Sequence, residues 1–134
     1  CDGAGVHGVI LPRHRAVHIT PTAAKSAAGA AEYVPMCVVG GLPTALKQMK
    51  DAGVWIVGLS DAADKNIFEI GDLTTEPICL VLGAEGAGLS RLVKERCDLL
   101  VSIPMGGSLS SLNVSAAAAL ATYEVVRSRV AKTK

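Results

Sequence analysis

Apolar and polar positions along this chain follow two periods. Short apolar runs recur at Val6–Leu11, Met36–Val39, Val54–Leu59, Ile78–Leu82 and Leu99–Ile103. They are too short for helices and carry no alternating polar face, the pattern of strands buried on both sides. Between them the spacing turns helical. Leu42–Ala52 sets Leu, Ala and Met one turn apart and stops at Gly53, a residue suited to a helix C-terminus. Thr22–Ala31, Ala-rich behind Pro21, predicts a short helix, as does Leu89–Glu95, and Leu112–Val130 predicts a long Ala-rich one. Strands alternating with helices predict an α/β fold, a mostly parallel sheet flanked by helices. No repeat or low-complexity linker interrupts the pattern, so residues 1–134 are expected to be one domain. Ligands of such sheets gather outside the C-terminal ends of the strands. The glycine-rich segments fall there: Gly58 onward, Gly83–Gly88, and Pro104–Ser111.

Composition narrows the function. Half of the residues are hydrophobic and 19% are charged, enough apolar material for a core. The net charge of +1 excludes a uniformly basic nucleic-acid binder and leaves room only for a local patch. Arg13-His14-Arg15 with His18 is the densest basic run, either a phosphate contact or a solvated loop. His14 and His18 have no carboxylate placed to complete a metal set, and no metal is expected. Tyr33, Trp55, Phe68 and Tyr123 are too scattered for a base-stacking platform. Cys1, Cys37, Cys79 and Cys97 form no C-x-x-C pair and read as buried free thiols of a reducing cytosol. No apolar run is long enough for a membrane span and no signal peptide is visible, so a cytoplasmic location is expected. Arg127, Arg129, Lys132 and Lys134 are expected to solubilise the end of the last helix and suit its dipole. The chain opens at Cys1-Asp2-Gly3 without Met, which suggests a fragment.

Two segments carry candidate chemistry. In LVLGAEGAGLS, Leu80 to Ser90, a buried strand runs into glycines around one acid, then into a helix. Glycines permit tight turns and close approach to a ligand. The spacing is not the G-x-G-x-x-G of a nicotinamide-binding Rossmann domain, nor does Gly-Lys-Ser/Thr follow as in a P-loop. That argues against an oxidoreductase. Glu85 alone reads as an acid at a helix N-terminus. In VSIPMGGSLSSLNVSAAAAL, Val101 to Leu120, a strand ends at Pro104, a Gly/Ser loop follows, and a helix starts near Ser111–Asn113. Ser111 and Asn113 suit a helix cap. The Ala116–Ala119 run permits close helix–helix or subunit packing.

Taken together, in this order and spacing, the two segments resemble motifs two and three of the SpoU/TrmH RNA ribose 2′-O-methyltransferases. GAEGAGLS is similar to the family's Gly-x-Glu-x-x-Gly turn, and IPMGGSLSSLNVSAAAAL to its Ile-Pro-Met … Ser-Leu-Asn-Val-Ser-x-Ala pattern. Upstream, AAKSAAGAAEYVP and VWIVGLSDAAD resemble the subgroup that methylates a guanosine of bacterial large-subunit ribosomal RNA. The likeness runs over essentially the whole chain.

The resemblance implies an α/β domain with a deep trefoil knot at its C-terminal end, S-adenosylmethionine as cofactor, ribosomal RNA as partner, and a homodimer packed through Leu112–Val130. It implies cofactor contacts, largely through backbone, at Gly83, Ile103 and Leu112, with Leu82, Met105 and Ser111 nearby. Glu85 and Asn113 are implied as catalytic-site residues that organise the substrate and a base. A neutral ribose hydroxyl is a poor nucleophile until its proton is taken. The family assigns that task to an Arg of motif one, Asn-x-Gly-x-x-x-Arg, which does not occur in residues 1–134. The resemblance therefore implies that this chain binds cofactor without methylating. Other implied alternatives are the same chemistry on transfer RNA, and a non-catalytic RNA-binding or dimerisation module.

Overall fold

In a computed structural model, residues 5–13, 35–61, 63–83, 88–104 and 114–132 are described. The strands are β1 (Val9–Pro12), β2 (Met36–Val39), β3 (Trp55–Leu59), β4 (Lys65–Asn66), β5 (Ile78–Val81) and β6 (Leu99–Ser102). The helices are α1 (Leu42–Asp51), α2 (Arg91–Arg96) and α3 (Val114–Lys132). β1 pairs in parallel with β2, Val9 opposite Met36 through Pro12 opposite Val39. The other strands form a parallel sheet in the order β4-β6-β3-β5. The expected α/β class with parallel strands holds. The two-residue strand β4 and the 3-10 turns Ile67–Glu69 and Gly71–Thr75 were not legible from periodicity. Their apolar residues sit too close together to show any period. The helix expected over residues 22–31 lies outside the described residues.

Local chemistry fixes the element ends. α1 opens with Pro in its first turn, where a missing N–H costs nothing. It closes at Gly53 (φ +93), where Gly53 N donates to Lys50 O and Val54 N to Met49 O, at 3.0 Å each. This paired closure satisfies carbonyls that the helix end leaves open, and only glycine takes that φ cheaply. α2 starts at Arg91 and not at Leu89, because the Ser90 hydroxyl accepts from Val93 N and caps it. β1 is shifted toward Pro12 relative to the apolar run Val6–Leu11.

The register sorts side chains to two faces. Ile56, Cys79, Val81 and Leu100 join Leu46, Leu89 and Val93 on the face covered by α1 and α2. Val57, Leu80, Leu99 and Val101 join Ile67, Ile70 and Ala121 on the face covered by the 3-10 turns and α3. Ile56, Val57, Ile67 and Val101 are wholly buried, each stabilising by roughly 1.5–3 kcal/mol.

Polar ties hold these layers in place. The Asp98 carboxylate accepts from Ile56 N at 2.8 Å and pairs with Lys50 Nζ at 3.1 Å, joining β3 to α1. Behind the other face, the Thr74 hydroxyl donates to Gly71 O at 3.0 Å and lies 2.7 Å from the buried Ser128 hydroxyl. With its one proton committed, Thr74 accepts from Ser128. Arg129 donates from Nε to Thr74 O and from Nη2 to Glu76 O. This corrects the expectation for the helix end: Arg129 is a tie between α3 and the 3-10 turn. Arg127 also has a specific partner, gripping the buried Glu124 carboxylate through two bonds of 2.9 and 2.7 Å. That hydrogen bond and charge hold the Arg127 pKa above its ordinary value.

Candidate functional site

β3 lies between β5 and β6, so the connection from β5 to β6 crosses it. In open parallel sheets, ligands bind in the crevice at the C-terminal strand ends where such a crossing occurs. The register sets those ends level: Gly58 opposite Val81, and Leu59 opposite Val101. Ser60 N extends the ladder by donating to Val101 O at 2.9 Å. The crevice rim is therefore Leu59–Ser60, Leu82–Gly83 and Ile103–Pro104.

The rim after β5 closes on itself. A Cβ added at Gly83 would sit 2.6 Å from Gly88 O and 2.7 Å from Gly88 Cα, so the two glycine backbones touch. Gly88 has φ +67, a conformation that other residues adopt only with strain. Gly83 and Gly88 thus adjoin beside the end of β3. Immediately beyond, Leu89 is buried and Ser90 caps α2.

Three of the expected cofactor residues, Leu82, Gly83 and Ile103, follow the strand ends on either side of β3. Leu82 and Gly83 are half-buried, and Ile103 packs against the core beneath α3. Met105, Ser111 and Leu112, and the expected catalytic residues Glu85 and Asn113, lie outside the described residues. Arg13 is exposed at the end of β1, and the remainder of its basic run lies outside them too.

Beneath the crevice sit two thiols. Burial first, then neighbouring Cys97, pushes the Cys79 pKa up to about 11. The Cys97 pKa is also raised by burial and then by Asp98, with Lys50 opposing. Thiols held neutral in this way make poor nucleophiles at neutral pH. Cys37 is exposed, contrary to the expectation of buried thiols, because β2 presents most of its length to solvent. A hollow of about 410 Å³ lined by Val39, Gly40, Gly41, Thr44, Ala45 and Gln48 lies beside α1, with no charged group among its described lining residues. Sequence reasoning had Gly58 within the strand run Val54–Leu59 and opening a glycine-rich strand end, and missed the part it plays. Gly58 lies inside β3, and a glycine within a strand pattern signals close approach by a neighbour.

Comparison with known proteins gives the family. Residues 1–123 match the model of the SpoU rRNA Methylase family, and the chain belongs to that family. It is 48% identical over 128 residues to the 23S rRNA (guanosine-2'-O-)-methyltransferase RlmB of Ralstonia nicotianae, covering 96% of this chain and 51% of that protein. Against RlmB of Escherichia coli K12 it is 45% identical over 128 residues, covering 96% and 52%. The crystal structure of the SpoU methyltransferase AviRb from Streptomyces viridochromogenes with AdoMet superposes with a TM-score of 0.87 at 33% identity, covering 97% of this chain and 53% of that one. The chain thus spans about half the length of the relatives it matches.

Proposed function

We propose that this chain forms the cofactor-binding region of an S-adenosylmethionine-dependent methyltransferase acting on a guanosine ribose 2′-hydroxyl in bacterial large-subunit ribosomal RNA. The observation that carries the reading is the glycine turn pinched between Gly83 and Gly88 beside the ends of β3 and β6. Glycines at both ends of the turn keep side chains away from the main chain there, which fits a ligand held by backbone groups. The backbone at Leu82, Gly83 and Ile103 would hold the adenosine end, with Met105, Ser111 and Leu112 completing the contacts. The cofactor supplies an electrophilic methyl group on a sulfonium.

The protein's work is then positioning and proton removal. Glu85 and Asn113 are proposed to orient the ribose and the arginine that takes the hydroxyl proton; neither is itself assigned as the base. In-line placement accounts for much of the rate in such transfers. Loops anchored on three adjoining strand ends give that placement a rigid base. The reading includes a C-terminal trefoil knot, a cytoplasmic enzyme, and a homodimer. For the dimer, α3 offers exposed Ala116, Ala119, Tyr123 and Val130 along the side away from Ala121, Val125 and Ser128. The 45–48% identity to RlmB proteins favours ribosomal over transfer RNA.

The test is tritiated-methyl transfer to ribosomal and transfer RNA by residues 1–134 joined to the Asn-x-Gly-x-x-x-Arg segment of a relative. Label in 2′-O-methylguanosine of large-subunit RNA is expected. Label on a base, or on transfer RNA alone, would overturn the assignment.

A further inference from the structure

We infer that Gly58 is a positioning residue for the cofactor: its missing side chain lets Leu89 seat on the sheet and hold down the turn that Gly83 and Gly88 close. The inference rests on the reading of that turn as the cofactor site. Gly58 is buried in the middle of β3, the strand that the crevice straddles. A Cβ there would stand 2.7 Å from Cys97 Sγ, 2.9 Å from Leu100 Cδ2 and 2.9 Å from Leu89 Cδ1. Ordinary contact begins near 3.4 Å, so all three neighbours already fill the space that a side chain would need.

The three neighbours differ in what anchors them. Leu100 is held in the ladder opposite Gly58. Cys97 is held twice, by its thiol on Val93 O at 3.3 Å and by its N–H on Lys94 O at 3.2 Å. Leu89 lies between the strand β5 and the helix α2, in neither element's hydrogen-bond pattern. Leu100 and Leu89 both meet the new Cβ with side-chain ends that can turn, and Leu89 is the one whose displacement reaches the turn. Gly88 precedes Leu89 directly, and Gly88 is the backbone on which Gly83 closes. A methyl group at Gly58 is thus carried to the turn through one side chain. Gly58 has no φ that excludes alanine, so the effect is steric and not conformational.

Two measurements separate this inference from the site reading. Titration of S-adenosylhomocysteine into the wild-type protein tests the site, and absence of binding there overturns the reading and this inference with it. Given wild-type binding, Gly58→Ala is expected to weaken affinity on the order of tenfold. It should also speed amide exchange at residues 84–87 in the cofactor-free protein. Leu89→Ala should act in the same direction, and the double variant should bind no worse than the weaker single one, because both changes act through one contact. Folded Gly58→Ala with wild-type affinity and exchange, or additive losses in the double variant, would overturn the inference. If Gly58→Ala does not fold, Leu89→Val carries the test: affinity weakened several-fold supports it, and wild-type affinity overturns it.

Discussion

Replacing Gly83 with alanine tests the pinched turn at its narrowest point. The new Cβ would meet Gly88 Cα at 2.7 Å and Gly88 O at 2.6 Å, where ordinary contact begins at 3.4 Å. The obstruction is backbone, so no side-chain rotation relieves it. The Gly88 main chain must retreat by at least about 0.8 Å, the difference between 3.4 and 2.6 Å, and further at its carbonyl carbon, which lies closer still, while Leu89 and the Ser90 cap hold the chain just beyond. Overpacking of this kind costs about 1–3 kcal/mol. For a domain of this size that lowers Tm by roughly 4–12 °C. A shift near 1 Å in a positioning element costs up to about a hundredfold in function. Calorimetric titration with S-adenosylhomocysteine, beside thermal denaturation, reads both effects. Gly88→Ala is the control. It meets no atom within 4 Å but must hold φ +67, a strain of about 1–2 kcal/mol that Gly88→Asn should largely relieve. Wild-type affinity and Tm in Gly83→Ala would refute the reasoning.

Other consequences are open to measurement. Thr74→Val should cost about 1–3 kcal/mol in urea denaturation by stranding the buried Ser128 hydroxyl, with much of the loss recovered in Thr74→Val/Ser128→Ala. Arg129→Met should lower stability by a similar amount through two lost charge-assisted bonds to Thr74 O and Glu76 O, whereas surface changes elsewhere on α3 should not. The Cys79 thiol has its folded pKa raised to about 11 from 9.0, so the unfolded chain ionises first. Its contribution is intact below pH 9 and is lost as pH rises toward 11, seen as a falling urea midpoint absent from Cys79→Ala. At pH 8, iodoacetamide should label Cys37 before Cys97 or Cys79, read by mass spectrometry. On the proposed homodimer packed through α3, Tyr123→Glu, at a ring 52% exposed, should lower the sedimentation mass from that of the wild-type protein toward that of a single chain.

Much of the sheet was legible because strands buried on both faces leave continuous apolar runs. Met36–Val39 matches β2 residue for residue, and β3, β5 and β6 each lie within one residue of the runs that announced them. Gly53 marked the end of α1 for a sound reason, since the closing turn needs its left-handed φ. The segment from Lys65 to Thr75 was opaque: its order comes from Ile67, Ile70 and Thr74 dropping into a core built by distant strands and α3. The same holds for Arg129, whose carbonyl partners lie far back along the chain. At the site, the glycine spacing showed that the chain turns, but not that Gly83 rests on Gly88. The role of Gly58 was hidden because its reason for being glycine is contributed by Cys97, Leu100 and Leu89, none of them near it in sequence.

Cofactor protection of backbone amides tests most directly whether the crevice at the ends of β3, β5 and β6 is the binding site. With S-adenosylhomocysteine added to residues 1–134, slowed hydrogen exchange is expected at Leu59–Ser60, across residues 82–90 and across 103–113, with no change on adding NAD. Protection confined to the hollow lined by Val39, Thr44 and Gln48, or protection by NAD in place of S-adenosylhomocysteine, would contradict it.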